Sequence, residues 1–306
     1  PATGGLMNEN PHLLSPELIS RMGNLQLKAR MAAEGALTGL HRSPHHGSSI
    51  EFAEHREYTP GDDPRHIDWK AFARLDRFYI KVFEDETNLR CWLLLDCSNS
   101  MAYASGAESK LDYAKTLAAA CAYLLLRQQD SAGLLTFSNV LDPHIPPRST
   151  WTHFNEISEA LVRREASGQT DIVKALDWLA GSLPGRSMVI LLSDMLDVRT
   201  DVIKLLKQIR SRKNDVAVLQ ILDPHEVEFP FERLTEFVDM EGERIIFADP
   251  DGIRAEYLRL FTEYCDGIGG ECLRNGMVYR KIVTSTPHHE ALLGFLRARE
   301  IGRAHV

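Results

Sequence analysis

Cysteine is scarce and scattered: the five residues, Cys91, Cys97, Cys121, Cys265 and Cys272, are odd in number and lie mostly inside apolar runs, so neither a disulfide framework nor a zinc cluster is expected. Basic charge is not in excess either. With 35 Lys and Arg against 43 Asp and Glu, the formal charge of -8 argues against a dedicated nucleic-acid binder. No apolar run is long enough to span a bilayer, and the first residues, PATGGLMNENPHLL, have neither a basic start nor an apolar signal core. The expectations are no membrane span and a cytoplasmic protein. The chain also lacks a G-x-x-x-x-G-K-[ST] loop and a G-x-S-x-G elbow, so P-loop nucleotide hydrolysis and elbow-type acyl transfer are without their parts. Internal repeats and low-complexity tracts are missing as well.

What remains is an ordinary globular composition, 44% hydrophobic and 25% charged over 306 residues, ample for a sizeable core. Near-helical spacing of Leu18, Ile19, Met22, Leu25, Leu27, Met31, Ala32 and Leu37 predicts a helix over 15–40, with Ser15 and Pro16 at its start. Residues 50–88 change to short aromatic and charged runs split by the turn TPGDDP, a pattern of strands or a hairpin. From Leu89 the chain alternates apolar strands (91–95, 131–138, 188–194, 216–223) with amphipathic helices (108–129, 151–163, 170–182, 200–211). A short antiparallel strand is expected near 141–146, strand-like runs at 234–240 and 244–248, and helices at 253–266 and 288–299. This alternation implies an α/β fold, a doubly wound and mostly parallel sheet. The domain organisation expected is an extension of helix and hairpin over 1–88, followed by the α/β domain over 89–306.

The segment LLLDCSNSM puts Asp96, Ser98 and Ser100 at alternate positions where the strand ends, so their oxygens converge beyond its carboxyl end, where open α/β sheets hold ligands. Taken alone, such a D-x-S-x-S is also a good helix cap. Two further strand-end features join it: Thr170, after the Ser-Gly turn of SGQTDIV, and Asp194, at the end of VILLSD. Two carboxylates and three hydroxyls suit a hard cation, Mg2+ or Mn2+, and so few charges leave it receptive to an outside carboxylate. Upstream, REYTPGDDPRHIDWKAFAR is dense in Arg, Asp and His. A structural or partner-docking hairpin is expected there, with Arg56, Arg65, Asp68, Trp69 and Arg74 as the docking candidates.

In this order the five oxygen donors resemble the metal-ion-dependent adhesion site of von Willebrand factor type A domains, a Rossmann-like fold. That resemblance implies Ser98 and Ser100 as direct metal ligands, with Thr170, Asp96 and Asp194 ligating directly or through water. The string GSSIEFAEHREYTPGDDPRHIDWKAFAR, residues 47–74, resembles the signature of the domain of unknown function 58 family, whose members join such a segment to a type A domain. That family's frequent neighbourhood with MoxR-type AAA+ ATPases implies such an ATPase, or a client with an exposed Asp or Glu, as partner. The resulting expectation is a metal-dependent interaction module that is not an enzyme. The alternatives are a Mg2+-dependent phosphohydrolase with Asp96 as nucleophile, against which Ser98 stands where a second acid is wanted, and a metal-independent scaffold.

Overall fold

The computed structural model describes residues 15–41, 55–57, 79–81, 89–141, 144–196, 200–242 and 244–303. The chain forms two compact units, Pro1–Gly39 with Leu89–Val306, and Leu40–Asn88. In the smaller unit, strands β1 (His55–Glu57) and β2 (Tyr79–Lys81) pair antiparallel, Arg56 opposite Ile80. The intervening turn TPGDDP lies outside the described residues.

The larger unit opens with helix α1 (Pro16–His41), whose first turn is capped by the Ser15 hydroxyl accepting from the Leu18 amide at 3.2 Å. Strand β3 (Arg90–Asp96) leads through a single 3-10 turn, Asn99–Ala102, into α2 (Lys110–Arg127). Then come β4 (Ser131–Phe137), β5 (Ile145–Arg148), α3 (Trp151–Arg163), α4 (Ile172–Ser182) and β6 (Ser187–Ser193). Next are α5 (Thr200–Ser211), β7 (Asp215–Leu222), the short α6 (Pro224–Glu228), and β8 (Thr235–Val238) paired antiparallel with β9 (Ile245–Ala248). Helix α7 (Pro250–Arg274), β10 (Val278–Val283) and α8 (His288–Arg303) complete it.

The six-stranded sheet runs β10-β7-β6-β3-β4-β5, parallel except for β5 against β4. It is the doubly wound, mostly parallel α/β architecture expected from the alternation of strands and helices. Period-2 alternation divides its core. Cys91, Leu93 and Leu95 of β3 face one layer, which includes the Ala29, Ala32, Ala33 and Ala36 face of α1. Trp92 and Leu94 face the other, with Leu176 and Leu179 of α4 and Leu206 of α5. Leu93, Leu94 and Leu95 are fully buried, each worth about 1.5–3 kcal/mol relative to exposure.

From β3 the chain steps to β4 and β5, then returns to lay β6 on the opposite side of β3. Strand order therefore reverses between β3 and β6, and crevices at such reversals are where open α/β sheets hold ligands. Leu95 pairs with Leu192, which sets Asp96 level with Ser193 and leaves Asp194 one residue beyond.

Three elements differ from the sequence reading. Helix α7 continues to Arg274, well past 266, through three glycines of which Gly269 faces Tyr279. The edge strand β10 was not expected; Arg280 and Lys281 at its centre are exposed and break the apolar run by which the inner strands are recognised. The five-residue α6, begun by Asp223 and Pro224 in a capping box with Glu226, is too short to leave a periodic signal.

Candidate metal centre

Three loops meet at the carboxyl edge of the sheet. The loop after β3 and the one before α4 are stitched together by their backbones: the Asn99 amide donates to the Gly168 carbonyl at 2.9 Å and the Ser167 amide to the Cys97 carbonyl at 2.8 Å. Gly168 makes this close path possible. Its φ is +73°, and a Cβ there would stand 2.5 Å from Asn139 Oδ1. The third loop follows β6 and carries Asp194.

Asp96 is fully buried and both its oxygens are engaged. Oδ1 accepts from the Ser98 amide at 3.0 Å and Oδ2 from the Ser193 hydroxyl at 2.7 Å, while Ser193 Oγ in turn accepts from the Met195 amide at 3.0 Å. Burial and then the charge of Asp194 push the Asp96 carboxyl up to about 7, against the pull of the Ser193 and Ser98 hydrogen bonds. The Ser98 and Ser100 hydroxyls face each other at 3.1 Å.

Asp194, 2% exposed, is held differently. Its Oδ2 accepts from Lys110 Nζ at 2.8 Å, its Oδ1 from the Leu196 amide at 3.2 Å, and its carbonyl from Gln220 Nε2 at 2.9 Å. Lys110 is itself buried and donates a second time, to Glu226 Oε1 at 2.6 Å. Burial opposes its charge, but Asp194 and Glu226 outweigh that and hold its pKa above the ordinary lysine value.

Thr170 meets a residue that no sequence motif marks. Its hydroxyl donates to Glu241 Oε1 at 2.6 Å and its amide to Glu241 Oε2 at 2.9 Å. Partial burial works against the Glu241 carboxylate, yet Thr170, and after it the Ser100 and Ser98 hydroxyls, hold it below the usual glutamate range. Ser100, Thr170, Asp194, Lys110 and Glu241 all line one cleft of about 730 Å3, walled on its far side by Phe229, Phe231, Phe237 and Tyr257.

The donor chemistry fits a hard cation. Two ligands on neighbouring vertices of a Mg2+ octahedron with bonds of about 2.1 Å stand about 3.0 Å apart, close to the Ser98–Ser100 separation. Among the described residues no group of three or more His, Cys, Asp or Glu is placed to hold a metal, and this cluster is of another kind, with hydroxyls making up most of the donors.

Sequence reasoning missed Ser193, Lys110, Gln220, Glu226 and Glu241. Ser193 could have been noticed beside Asp194, but the partners of the other four are set by tertiary contacts. Of the docking candidates, Arg65, Asp68, Trp69 and Arg74 lie outside the described residues, and Arg56 sits in β1.

Comparison with known proteins adds a family and a set of folds. An uncharacterized protein of Mycobacterium tuberculosis is 28% identical over 218 residues, 70% of this chain and 68% of its own. The crystal structure of an aerotolerance-related membrane protein from Bacteroides fragilis is 17% identical, with a TM-score of 0.45 over 70% of this chain and 99% of that one. The SpRpn10 VWA domain is 10% identical, with a TM-score of 0.38 over 66% and 92% of the two chains. Residues 54–264 match the family described as protein of unknown function DUF58. Since that stretch runs from just before β1 into α7 and includes Asp96, Ser98, Ser100, Thr170, Asp194 and Glu241, more than half of the chain and its whole candidate centre fall within the match, and the protein belongs to the DUF58 family.

Proposed function

We propose that this protein is a metal-dependent protein-interaction module. Ser98, Ser100 and Thr170 would hold Mg2+ or Mn2+, with Asp96 and Asp194 acting directly or through water. The observation that carries this reading is the convergence of three hydroxyls and two buried carboxylates at the point where strand order reverses. A bound Mg2+ would supply an electrophilic position that a carboxylate can complete. The chain's own residues do the rest. Ser193 and the Ser98 amide fix both oxygens of Asp96, Lys110 balances Asp194 and Glu226, and the backbone links at Asn99 and Ser167 keep Thr170 beside Ser98 and Ser100.

A partner presenting an exposed Asp or Glu fits this chemistry, and a MoxR-type AAA+ ATPase or one of its clients is the proposed partner. The segment up to residue 88, with Arg56, Arg65, Asp68, Trp69 and Arg74, would provide a second docking surface. The geometry favours binding over phosphoryl transfer: Asp96 has no exposed surface and both its oxygens are already engaged, a poor disposition for in-line attack.

Calorimetric titration with Mg2+ is expected to give one saturable site in the wild-type chain and none in D96A or D194A. Metal uptake by the D96A/D194A double variant equal to that of wild type would overturn the reading.

A further inference from the structure

Among the described residues, Glu241 is the one carboxylate hydrogen-bonded to Thr170, and it also lies against the hydroxyls of Ser98 and Ser100. We infer that Glu241 is a built-in ligand of the centre: it fills the place that a partner's Asp or Glu would take, so the β8–β9 hairpin must be displaced before a partner can bind. The inference rests on the metal-binding reading above and adds to it a residue and a competition.

The carboxylate is presented on purpose-built geometry. Glu241 sits in the turn between β8 and β9, where its amide donates to Asp239 Oδ1 at 2.9 Å and the Asp239 amide donates to the Arg244 carbonyl at 2.9 Å, closing the hairpin. Gln169, next to Thr170, donates to the Glu241 carbonyl at 2.7 Å. Five bonds thus either shape the turn or tether it to the centre, and three hydroxyls of the proposed donor set face one carboxylate. Elsewhere the hairpin is held on one face, where Phe237 packs against Phe229 and Phe231. Its strands have four residues each, and Val238, Ile245, Ile246 and Phe247 are all more than half exposed. A short element anchored at its tip and, along its length, by the Phe237 ring can swing away once those few contacts open.

Charge supports the same assignment. Glu241 shares one cleft with Asp194 and Glu226, and the ammonium of Lys110 there is taken up by those two and not by Glu241.

The test uses Mn2+ as the metal and sodium acetate as a free carboxylate, on the full chain in wild-type, E241A, E241Q and D96A forms. Bound Mn2+ is counted by electron paramagnetic resonance, and the water molecules on it by water-proton relaxation. Removing one charged ligand should weaken Mn2+ binding about tenfold in E241A while each bound ion gains one exchangeable water. Acetate should then displace that water in E241A at concentrations at least about tenfold lower than in wild type, where the tethered carboxylate competes at high effective concentration. E241Q keeps the side-chain shape and hence the fold, and should move in the same direction. D96A should bind little Mn2+. Equal affinity, water count and acetate response in wild type and both Glu241 variants would overturn the internal ligand while leaving the metal centre standing. Failure of wild type and the Glu241 variants alike to bind Mn2+ would remove the centre itself, and the internal ligand with it.

Discussion

Asp194 and Glu226 meet across the ammonium of Lys110, 2.8 and 2.6 Å away, where the lysine side chain is 1% exposed and that of Asp194 is 2% exposed. Asp194 has too little water to replace that partner, so K110M should cost about 3–5 kcal/mol of stability, measured as a shift in the urea unfolding curve. S193A should cost less, about 1–3 kcal/mol, since it takes one hydrogen bond from Asp96 and one from the Met195 amide. At this scale the sequence was half legible. Asp96, Ser98, Ser100, Thr170 and Asp194 could be chosen because oxygen donors at strand ends and loop starts have a direction dictated by the backbone. Lys110 and Glu241 could not be, because a Lys at a helix start and a Glu in a hairpin turn look like ordinary solvated charges until the chain has folded.

At the scale of elements, the buried strands were legible because a parallel sheet covered on both faces needs unbroken apolar runs, and β3, β6 and β7 supply them. Helix α7 runs beyond its expected end, through glycines that look like a stop signal in the sequence. Gly269 has another use: a Cβ there would come within 2.7 Å of the Tyr279 ring, so the glycine lets α7 lie close on β10. The Tyr279 hydroxyl donates to Gln220 Oε1 at 2.5 Å, and Gln220 supports the Asp194 carbonyl. G269A should therefore do two things. It should destabilise the fold by about 1–3 kcal/mol through overpacking, and it should weaken Mg2+ binding by disturbing the loop of Asp194, both read by calorimetry.

At the scale of the whole larger unit, helix α1 shares its core with the sheet, through alanines whose small volume gives no sequence hint of what they face. Its charged side is joined to the rest by Glu108, which lies 3.2 Å from Lys28 of α1 and 3.3 Å from His288 of α8. His288 first, and Lys28 after it, hold the Glu108 carboxyl below the usual glutamate value, more than offsetting its partial burial. With the folded pKa depressed, the contribution is present above the unfolded pKa of about 4.3 and is lost as pH falls through the folded value. Thermal unfolding followed from pH 6 to pH 3 should show wild type more stable than E108Q at the upper end and the two converging at the lower. The rim of the sheet bears on how this protein keeps company with copies of itself. Pro146 and Pro147 in β5 have no amide hydrogen to offer, and since successive amides of a strand point to opposite sides, one of the two removes a donor from the outer edge, so an extended segment laid along that margin finds a gap in the ladder it would need. Growth by stacking chains edge to edge is thereby discouraged on the β5 side.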